Sequence, residues 1–305
     1  MEENTMKVLI SGSTGLIGSA LVTLLTDAGH DVVRLVRSTP RSDGSEVHWN
    51  PESERIDTVG LEGMDAVVHL AGENIGSGRW TRNRKARIFD SRVKGTRLLC
   101  ESLANLNQPP QVLVCASAIG FYGSRGTEVM NEESESGAGF LADVCREWEI
   151  ATAFIGQTEI RVVNLRMGIV LSLAGGPLPK MLPPFKMGVG GVLGNGRQYM
   201  SWIALDDAVG AIHHTLVTED LQGPVNNVAP HPVTNREFTK ALGRVLRRPT
   251  LFPLPSFGLR LMFGGEMANE LFLSSTRVEP VRLVETGYTF QYPELEDALR
   301  HVLGT

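Results

Sequence analysis

The fold class of this chain follows from the segment VLISGSTGLIGSALVTLL, residues 8–25. Gly12, Gly15 and Gly18 lie three residues apart, between a short apolar run and a segment whose apolar residues recur at helical spacing. Such a strand, tight turn and helix place a helix N-terminus beside glycines that let the backbone approach a pyrophosphate closely. The segment therefore predicts a dinucleotide-binding turn at the start of an α/β domain.

The bulk composition narrows the classes of function. The 305 residues are 42% hydrophobic and carry a net charge of −5, which argues against a nucleic-acid partner. No apolar run is long enough to span a bilayer, and the first residues lack a secretory signal. Three scattered cysteines without a CxxC pair indicate reduced thiols and a cytoplasmic protein. The adjacent His213 and His214 point in different directions on a helix, so no metal site is predicted.

Strand-like and helix-like segments alternate through the first half of the chain. We predict strands at residues 7–11, 31–36, 65–71, 111–117 and 159–165, with helices at 16–28, 83–106 and 139–155. This alternation predicts an α/β fold with a doubly wound parallel Rossmann sheet. The predicted dinucleotide-binding domain covers residues 6–170, with return elements near 203–229. Residues 171–202 and 230–305 form the smaller substrate-side lobe, and 173–197 is predicted to be a long irregular segment.

The end of the second strand selects the cofactor. An acid there would accept a hydrogen bond from a ribose hydroxyl, but this strand is followed by Arg37 and Ser38, with no acid before Asp43. A guanidinium favours a 2′-phosphate, so we predict NADP(H) rather than NAD(H). The alternative is that Arg37 is a solvated surface charge.

Several further motifs carry a resemblance to a known family. They are GSTGLIG, DAVVHLAG, ASAIGFYG, the turn of Arg166, Met167 and Gly168, and GNGRQYMSWIALDDAVGA. Together they resemble the extended or atypical short-chain dehydrogenases/reductases, in particular the branch of epimerase family proteins that are similar to nucleoside-diphosphate-sugar epimerases. The resemblance covers essentially the whole chain.

The resemblance implies roles for individual residues. The implied pyrophosphate-binding residues are Gly12, Thr14, Gly15, Leu16, Ile17 and Gly18. Arg37 and Ser38 would face the adenosine ribose. The loop that passes the cofactor is implied to contain Leu70, Ala71 and Gly72, and the turn over the nicotinamide to contain Met167 and Gly168. Trp202 and Asp206 fall in the segment that contributes to the substrate pocket.

The catalytic pattern of the family is incomplete in this chain. Members use a Tyr-x-x-x-Lys pair on the helix after the fifth strand to move a proton and hold the ribose. Here the matching positions hold Leu141 and Cys145, and no tyrosine lies between Gly123 and Gln198. The serine is offset as well, because Ser117 precedes Tyr122 by five residues where the family has four.

Five residues are candidates for the missing chemistry. Ser117 could donate to a substrate carbonyl, and Tyr122 is either the replacement acid or a packed, hydrogen-bonded aromatic residue. Asp143 and Glu147 lie on one helix face, as pocket acids or as solvated charges. Cys145 is either a nucleophile or a small core residue.

Two charged segments leave alternatives open. RWTRNRKAR, residues 79–87, either meets an anionic substrate or the cofactor phosphates, or forms a partly solvated surface at a helix start. The acidic EVMNEESE, residues 128–135, is interpreted as a solvated loop at the rim of the site.

Two functions are compatible with the sequence. The first is an NADP(H)-dependent oxidoreductase or epimerase that acts on a small polar, sugar-like substrate. The second is an NADP(H)-binding sensor or regulatory protein without turnover, which the missing Tyr-x-x-x-Lys pair favours. The resemblance also implies a homodimer formed by paired helices.

Overall fold

The protein consists of a central, mostly parallel sheet with helices on both faces and a smaller lobe. The structure, a computed structural model, describes residues 5–155 and 158–305. The strands are β1 (Lys7–Ser11), β2 (Asp31–Val36), β3 (Glu46–Asn50), β4 (Arg55–Ile56), β5 (Ala66–His69), β6 (Val112–Ala118), β7 (Val129–Met130), β8 (Arg161–Met167), β9 (Ile169–Leu171), β10 (Tyr199–Met200), β11 (Trp202–Ala204), β12 (Gly223–Asn227), β13 (Val233–Thr234) and β14 (Arg277–Val278).

The helices connect these strands and build the second lobe. They are α1 (Leu16–Asp27), α2 (Arg82–Ala104), α3 (Phe140–Ala153), α4 (Leu178–Lys186), α5 (Leu205–Val217), α6 (Asn235–Leu246), α7 (Ser256–Phe263), α8 (Gly265–Met267), α9 (Val281–Glu285) and α10 (Leu295–Leu303). Short 3₁₀ turns lie at Val59–Leu61 and Ile119–Tyr122, and a π-helical turn lies at Ala268–Phe272. No helix among these described residues combines the length and apolar character needed to cross a membrane.

The main sheet has the strand order β12-β8-β6-β5-β1-β2-β3-β4. All its neighbouring strands pair in parallel except β3 and β4. The chain moves from β1 to one side through β2 and β3, and then returns to β5 on the other side of β1. Ligands of doubly wound sheets bind beyond the strand ends at such a reversal. The predicted Rossmann architecture is confirmed.

Both faces of the sheet are buried, which explains why its strands are apolar rather than alternating. One face packs against apolar residues of α1 and α5, namely Leu21, Leu25, Ala208, Ile212 and Leu216. The other face packs against α2 through Leu99, Cys100 and Leu103. The three cysteines of the chain are buried and free.

The segment that we predicted to be irregular contains a helix. Within residues 173–197, α4 buries Leu178, Leu182 and Phe185 against the smaller lobe. Pro183 and Pro184 lie inside this helix. Because proline normally ends a helix, these residues argue against a helix when only the sequence is considered. The prediction was therefore wrong for residues 178–186.

Asp207 fastens the C-terminal tail to the start of α5. Its side chain is fully buried and accepts hydrogen bonds from the backbone N–H groups of Gln291, at 2.7 Å, and Tyr292, at 2.9 Å. The Tyr288 hydroxyl donates to the Asp207 backbone oxygen at 2.9 Å. A single carboxylate thus satisfies two backbone donors of a segment 84 residues further along the chain.

We expect Asp207→Ala to lower the free energy of unfolding by about 3 kcal/mol, because it leaves two N–H donors in the tail without an acceptor. Urea unfolding of the variant measures this loss. The neighbouring Asp206, exposed and bonded to His301 at 3.0 Å, provides the control. Asp206→Ala should cost less than about 1 kcal/mol, and equal losses in the two variants would refute the role of Asp207.

Candidate functional site

The glycine-rich turn leaves no room for a side chain at Gly12 or Gly18. Gly12 has a φ of +67°, and a Cβ at this residue would lie 2.8 Å from the carbonyl carbon of Leu70. A Cβ at Gly18 would lie 2.2 Å from the Gly12 oxygen. Gly15 caps α1 without any side-chain hydrogen bond, so the N–H groups at the start of the helix stay open. This cradle fits an anionic pyrophosphate, as predicted for these glycines.

A serine and a histidine hold the neighbouring loop against this turn. Ser11 Oγ accepts hydrogen bonds from the N–H groups of Leu70, at 3.1 Å, and Ala71, at 3.3 Å. Its own hydrogen is then donated to His69 Nδ1, at 2.6 Å. The proton of His69 therefore lies on Nε2, a buried atom that has no hydrogen-bond partner among the described residues. These bonds place the loop that the resemblance assigns to the cofactor beside Gly12.

His69 is neutral because it is fully buried. Burial lowers the pKa of His69 to about 4. Its ring lies with its edge toward Trp49, with the ring centres 5.7 Å apart. The histidine thus acts as a structural acceptor for Ser11.

The end of β2 presents a guanidinium to solvent. Arg37 and Ser38 are exposed, and Arg37 makes no hydrogen bond or ion pair with the residues that the structure describes. Arg41 is already engaged, because its backbone N–H donates to Glu46 Oε2 at 3.0 Å and its Nε lies 3.6 Å from Glu46 Oε1. Arg37 is the cation that stays available here.

Arg166 lies at the centre of a buried polar network behind the strand ends. Its Nε and Nη2 atoms each lie 2.9 Å from an oxygen of Glu149, in a bidentate pair. Nη1 donates to the Tyr122 hydroxyl at 2.9 Å and to the Glu132 backbone oxygen at 3.3 Å. The Phe121 ring covers the guanidinium, with 3.6 Å between Cζ and the ring centre. β8, α3 and the turn after β6 are joined through this one side chain.

The hydroxyl of Tyr122 is part of this network. Its side chain is 0% exposed, and its hydroxyl accepts from Arg166 and donates to Asn226 Oδ1 at 2.7 Å. Burial raises the pKa of Tyr122 to about 12. This environment favours the packed, hydrogen-bonded aromatic residue over the replacement acid.

Ser117 lies at the end of β6 with its hydrogen committed to Glu149. The Oγ–Oε1 distance is 2.7 Å. Its side chain is only 2% exposed, and its hydroxyl also lies within hydrogen-bonding reach of the Cys145 thiol. The neighbouring Cys145 is buried, and burial raises the pKa of its thiol to about 12, which favours the core alternative over a nucleophile.

Asp143 and Glu147 lie away from this network. Arg146 approaches both, with Nη2 2.9 Å from Asp143 Oδ1 and Nε 3.8 Å from Glu147 Oε1. Their side chains are more than a third exposed, so the structure favours solvated helix-face charges over pocket acids.

The turn predicted to lie over the nicotinamide is tightly packed. A Cβ at Gly168 would lie 2.7 Å from Val228 Cγ1 and 2.9 Å from the Ser201 oxygen, and Met167 is buried beside it. Trp202 is 0% exposed, and its Nε1 donates to the His231 oxygen at 3.1 Å. Its ring lies in the core of the smaller lobe, which favours a packing role over the predicted role in the substrate pocket.

The basic segment 79–87 joins the two parts of the molecule. Arg79 Nη2 donates to the Leu261 oxygen at 2.6 Å, and Lys85 Nζ lies 2.6 Å from Glu266 Oε1. The sequence predicted either contacts with an anionic ligand or a solvated surface for this segment, and neither prediction included these contacts with α7 and α8.

The acidic segment 128–135 was interpreted as solvated, which is wrong for Glu132. Its side chain is 4% exposed and accepts from the backbone N–H groups of Asn226, at 3.1 Å, and Arg282, at 3.3 Å. Burial raises the pKa of its carboxyl above the ordinary value.

Sequence reasoning missed Glu270, which caps α3 from the smaller lobe. Its carboxylate accepts hydrogen bonds from the N–H groups of Phe140, at 2.9 Å, and Leu141, at 2.8 Å. A negative side chain at a helix N-terminus is favourable for the free donors and for the helix dipole. The partners lie about 130 residues apart, so no local pattern indicates the contact.

We expect an acid-sensitive stability that depends on His69. Below about pH 6.5 the unfolded chain binds a proton at this histidine, whereas the folded chain does so only near pH 4. The free energy of unfolding therefore falls by roughly 1.4 kcal/mol per pH unit between these values. Urea unfolding at pH 7 and pH 4.5 should show that the wild type loses about 2 kcal/mol more than His69→Gln. His48→Gln should behave as the wild type; an identical pH dependence in all three proteins would contradict the prediction.

Comparisons with known proteins agree with this fold. Residues 8–229 match the model of the NAD dependent epimerase/dehydratase family, and residues 254–302 match a domain of unknown function, DUF1731. Epimerase family protein MT2273 of Mycobacterium tuberculosis is 45% identical over 292 residues, 96% of each chain. The crystal structure of human epimerase family protein SDR39U1 (isoform 2) with NADPH aligns with a TM-score of 0.91 at 34% identity, over 98% of this chain and 100% of that one. MoeE5 in complex with UDP-glucose and NAD shares the fold, with a TM-score of 0.77 at 21% identity, over 98% of this chain and 97% of that one.

Proposed function

This chain belongs to the NAD dependent epimerase/dehydratase family, and on that premise we propose that it binds NADP(H) and acts as an oxidoreductase or epimerase on a small polar, sugar-like substrate. The observation that carries the proposal is the uncapped start of α1, pressed against the loop after β5, with the unpaired Arg37 at the end of the next strand. A pyrophosphate fits the first feature, and a 2′-phosphate fits the second. When bound, the nicotinamide supplies a hydride acceptor or donor.

The preference for the phosphorylated cofactor has two supports. Arg37 makes no ion pair with the residues that the structure describes, and Glu46 at the start of β3 is engaged by Arg41. The human relative was crystallised with NADPH. A guanidinium forms charge-assisted hydrogen bonds with a phosphate and offers no acceptor to a ribose hydroxyl.

Ser117 is the residue that we propose to contact the reacting oxygen of the substrate. Its Oγ can accept a proton from a substrate hydroxyl while its own proton passes to the Glu149 carboxylate 2.7 Å away. Reduction of a carbonyl would follow the reverse path. Arg166 balances the charge of Glu149 through the bidentate pair.

A second function, NADP(H) binding without turnover, has its own support. Leu141 and Cys145 occupy the positions of the family's tyrosine and lysine, and Tyr122 is enclosed by hydrogen bonds. A protein of this kind would report the redox state of the cofactor pool through a partner. Only turnover distinguishes it from the enzyme, since both bind the cofactor.

We further propose a cytoplasmic homodimer. The free, buried cysteines are compatible with a reducing compartment. Ile150 and Phe154, which lie four residues apart at the C-terminal end of α3, are 53% and 56% exposed, as a helix that pairs with a second copy would require.

Arg37→Ala should weaken NADPH binding by roughly tenfold to a hundredfold and leave NADH binding unchanged, because it removes the charge-assisted bonds to the 2′-phosphate. Titration calorimetry with both cofactors measures the two affinities. Arg97→Ala, at an exposed arginine of α2, is the matched control. Equal affinity of the wild type for NADPH and NADH would refute the cofactor preference.

If the protein is an enzyme, we expect turnover when NADPH is supplied with one of a panel of carbonyl compounds and nucleotide sugars. Nicotinamide absorbance and epimer formation measure it. Ser117→Ala should reduce kcat by about a hundredfold or more without changing NADPH affinity. Asp143→Asn, at an exposed helix position, should have no effect. Tight NADPH binding with no turnover on any substrate would favour the second function.

A further inference from the structure

Arg92 of α2 reaches the loop that is assigned to the cofactor. A Cβ at Gly72 would lie 3.3 Å from the Arg92 Cζ, 3.4 Å from Nη2 and 3.5 Å from Nη1. These near-equal distances mean that the guanidinium plane lies flat over Gly72. The absence of a side chain at position 72 therefore creates the space that the guanidinium fills.

The guanidinium is held in a fixed position. Nη1 donates to the backbone oxygens of Glu73, at 3.0 Å, and Ile88, at 3.2 Å. The Trp148 ring centre lies 5.0 Å from Cζ, and Trp148 is itself anchored by a hydrogen bond from Nε1 to Thr96 Oγ1 of 2.9 Å. Because both the bonds and the ring fix its plane, the remaining donors are already oriented.

Those remaining donors have no protein partner. A guanidinium carries five N–H groups, and those on Nε and Nη2 of Arg92 make no hydrogen bond with residues 5–155 or 158–305. Neither atom is among the buried polar atoms that lack a partner, so both remain accessible to an acceptor from outside the chain.

The surroundings indicate where that acceptor lies in the cofactor. Gly72 belongs to the loop that contacts Gly12 of the phosphate-binding turn. On the other side, the charge of Arg92 favours a lower pKa for the Cys145 thiol, although burial keeps that pKa high. Cys145 stands at the position of the family's lysine, one helical turn before Glu149, the partner of Ser117. The guanidinium thus lies between the phosphate turn and the reaction site.

We propose that Arg92 replaces the missing lysine and that its Nη2 and Nε atoms bind the vicinal hydroxyls of the nicotinamide ribose. This inference rests on the proposed binding of NADP(H). The planar fork of two donors suits a pair of adjacent oxygen acceptors, and a guanidinium stays charged where a buried ammonium would lose its proton. Arg92 is a positioning and binding residue, and it moves no proton.

Binding of a cofactor and of a cofactor fragment tests the proposal. NADPH contains the nicotinamide ribose, whereas adenosine 2′,5′-bisphosphate contains only the adenosine half. We expect Arg92→Met to weaken NADPH binding by roughly tenfold or more and to leave the fragment's affinity unchanged. Arg92→Lys should recover part of the lost NADPH affinity. Arg97→Met, on the exposed side of the same helix, should bind both ligands with the affinity of the wild type.

Other outcomes separate this inference from the proposed function. Unchanged NADPH affinity in Arg92→Met, or equal losses for NADPH and the fragment, would overturn the role of Arg92 while the cofactor assignment stands. Failure of the wild type to bind either ligand would overturn the cofactor assignment itself. Retained fragment binding in Arg92→Met also shows that the variant is folded.

Discussion

The buried charge of Arg166 is the constraint on which the reaction side of this molecule depends. Burying a guanidinium in an apolar interior is costly unless hydrogen-bond acceptors, and above all a carboxylate, surround it. Glu149, Tyr122 and the Glu132 backbone supply them, and each comes from a different segment. The hydrogen bonds of this one cation therefore fix how α3, the turn after β6 and the loop before α3 lie against β8. It also orients Ser117, because that hydroxyl shares the carboxylate of Glu149.

The two halves of the site differ in how they are made. The cofactor half is built from backbone: close approaches at Gly12 and Gly18, open helix N–H groups, and a loop held by Ser11. The half around Ser117 and Glu149, where we propose the reaction, is built from side chains, and there Leu141 and Cys145 stand at the positions where the resemblance implies a tyrosine and a lysine. A backbone cradle binds the same phosphates in any chemistry, whereas the reaction depends on individual side chains. The backbone cradle alone is therefore compatible with more than one use of a dinucleotide.

What could be predicted from sequence follows the range of the interactions. The strands, the glycine-rich turn and the capping box of α6, in which Thr234 and Glu237 bond reciprocally, depend on neighbours a few residues apart. The burial of Glu132, the core position of Trp202 and the cap from Glu270 depend on partners that the topology brings together from distant segments. The prediction failed at α4 for a different reason. In the sequence, its two prolines mask a helix that packing stabilises. Arg92 was overlooked because only the folded chain brings its guanidinium against Gly72.

The cap that Glu270 provides has a consequence for how this chain divides into units. The two matched segments, residues 8–229 and 254–302, look like separable modules along the sequence. In three dimensions, the later segment supplies the acceptor for the first N–H groups of α3, the helix on which Glu149 lies. A chimera that exchanged residues 254–302 for an unrelated lobe would fray that helix at its start. The C-terminal segment therefore contributes to the stability of α3, although it lies outside the segment matched at residues 8–229.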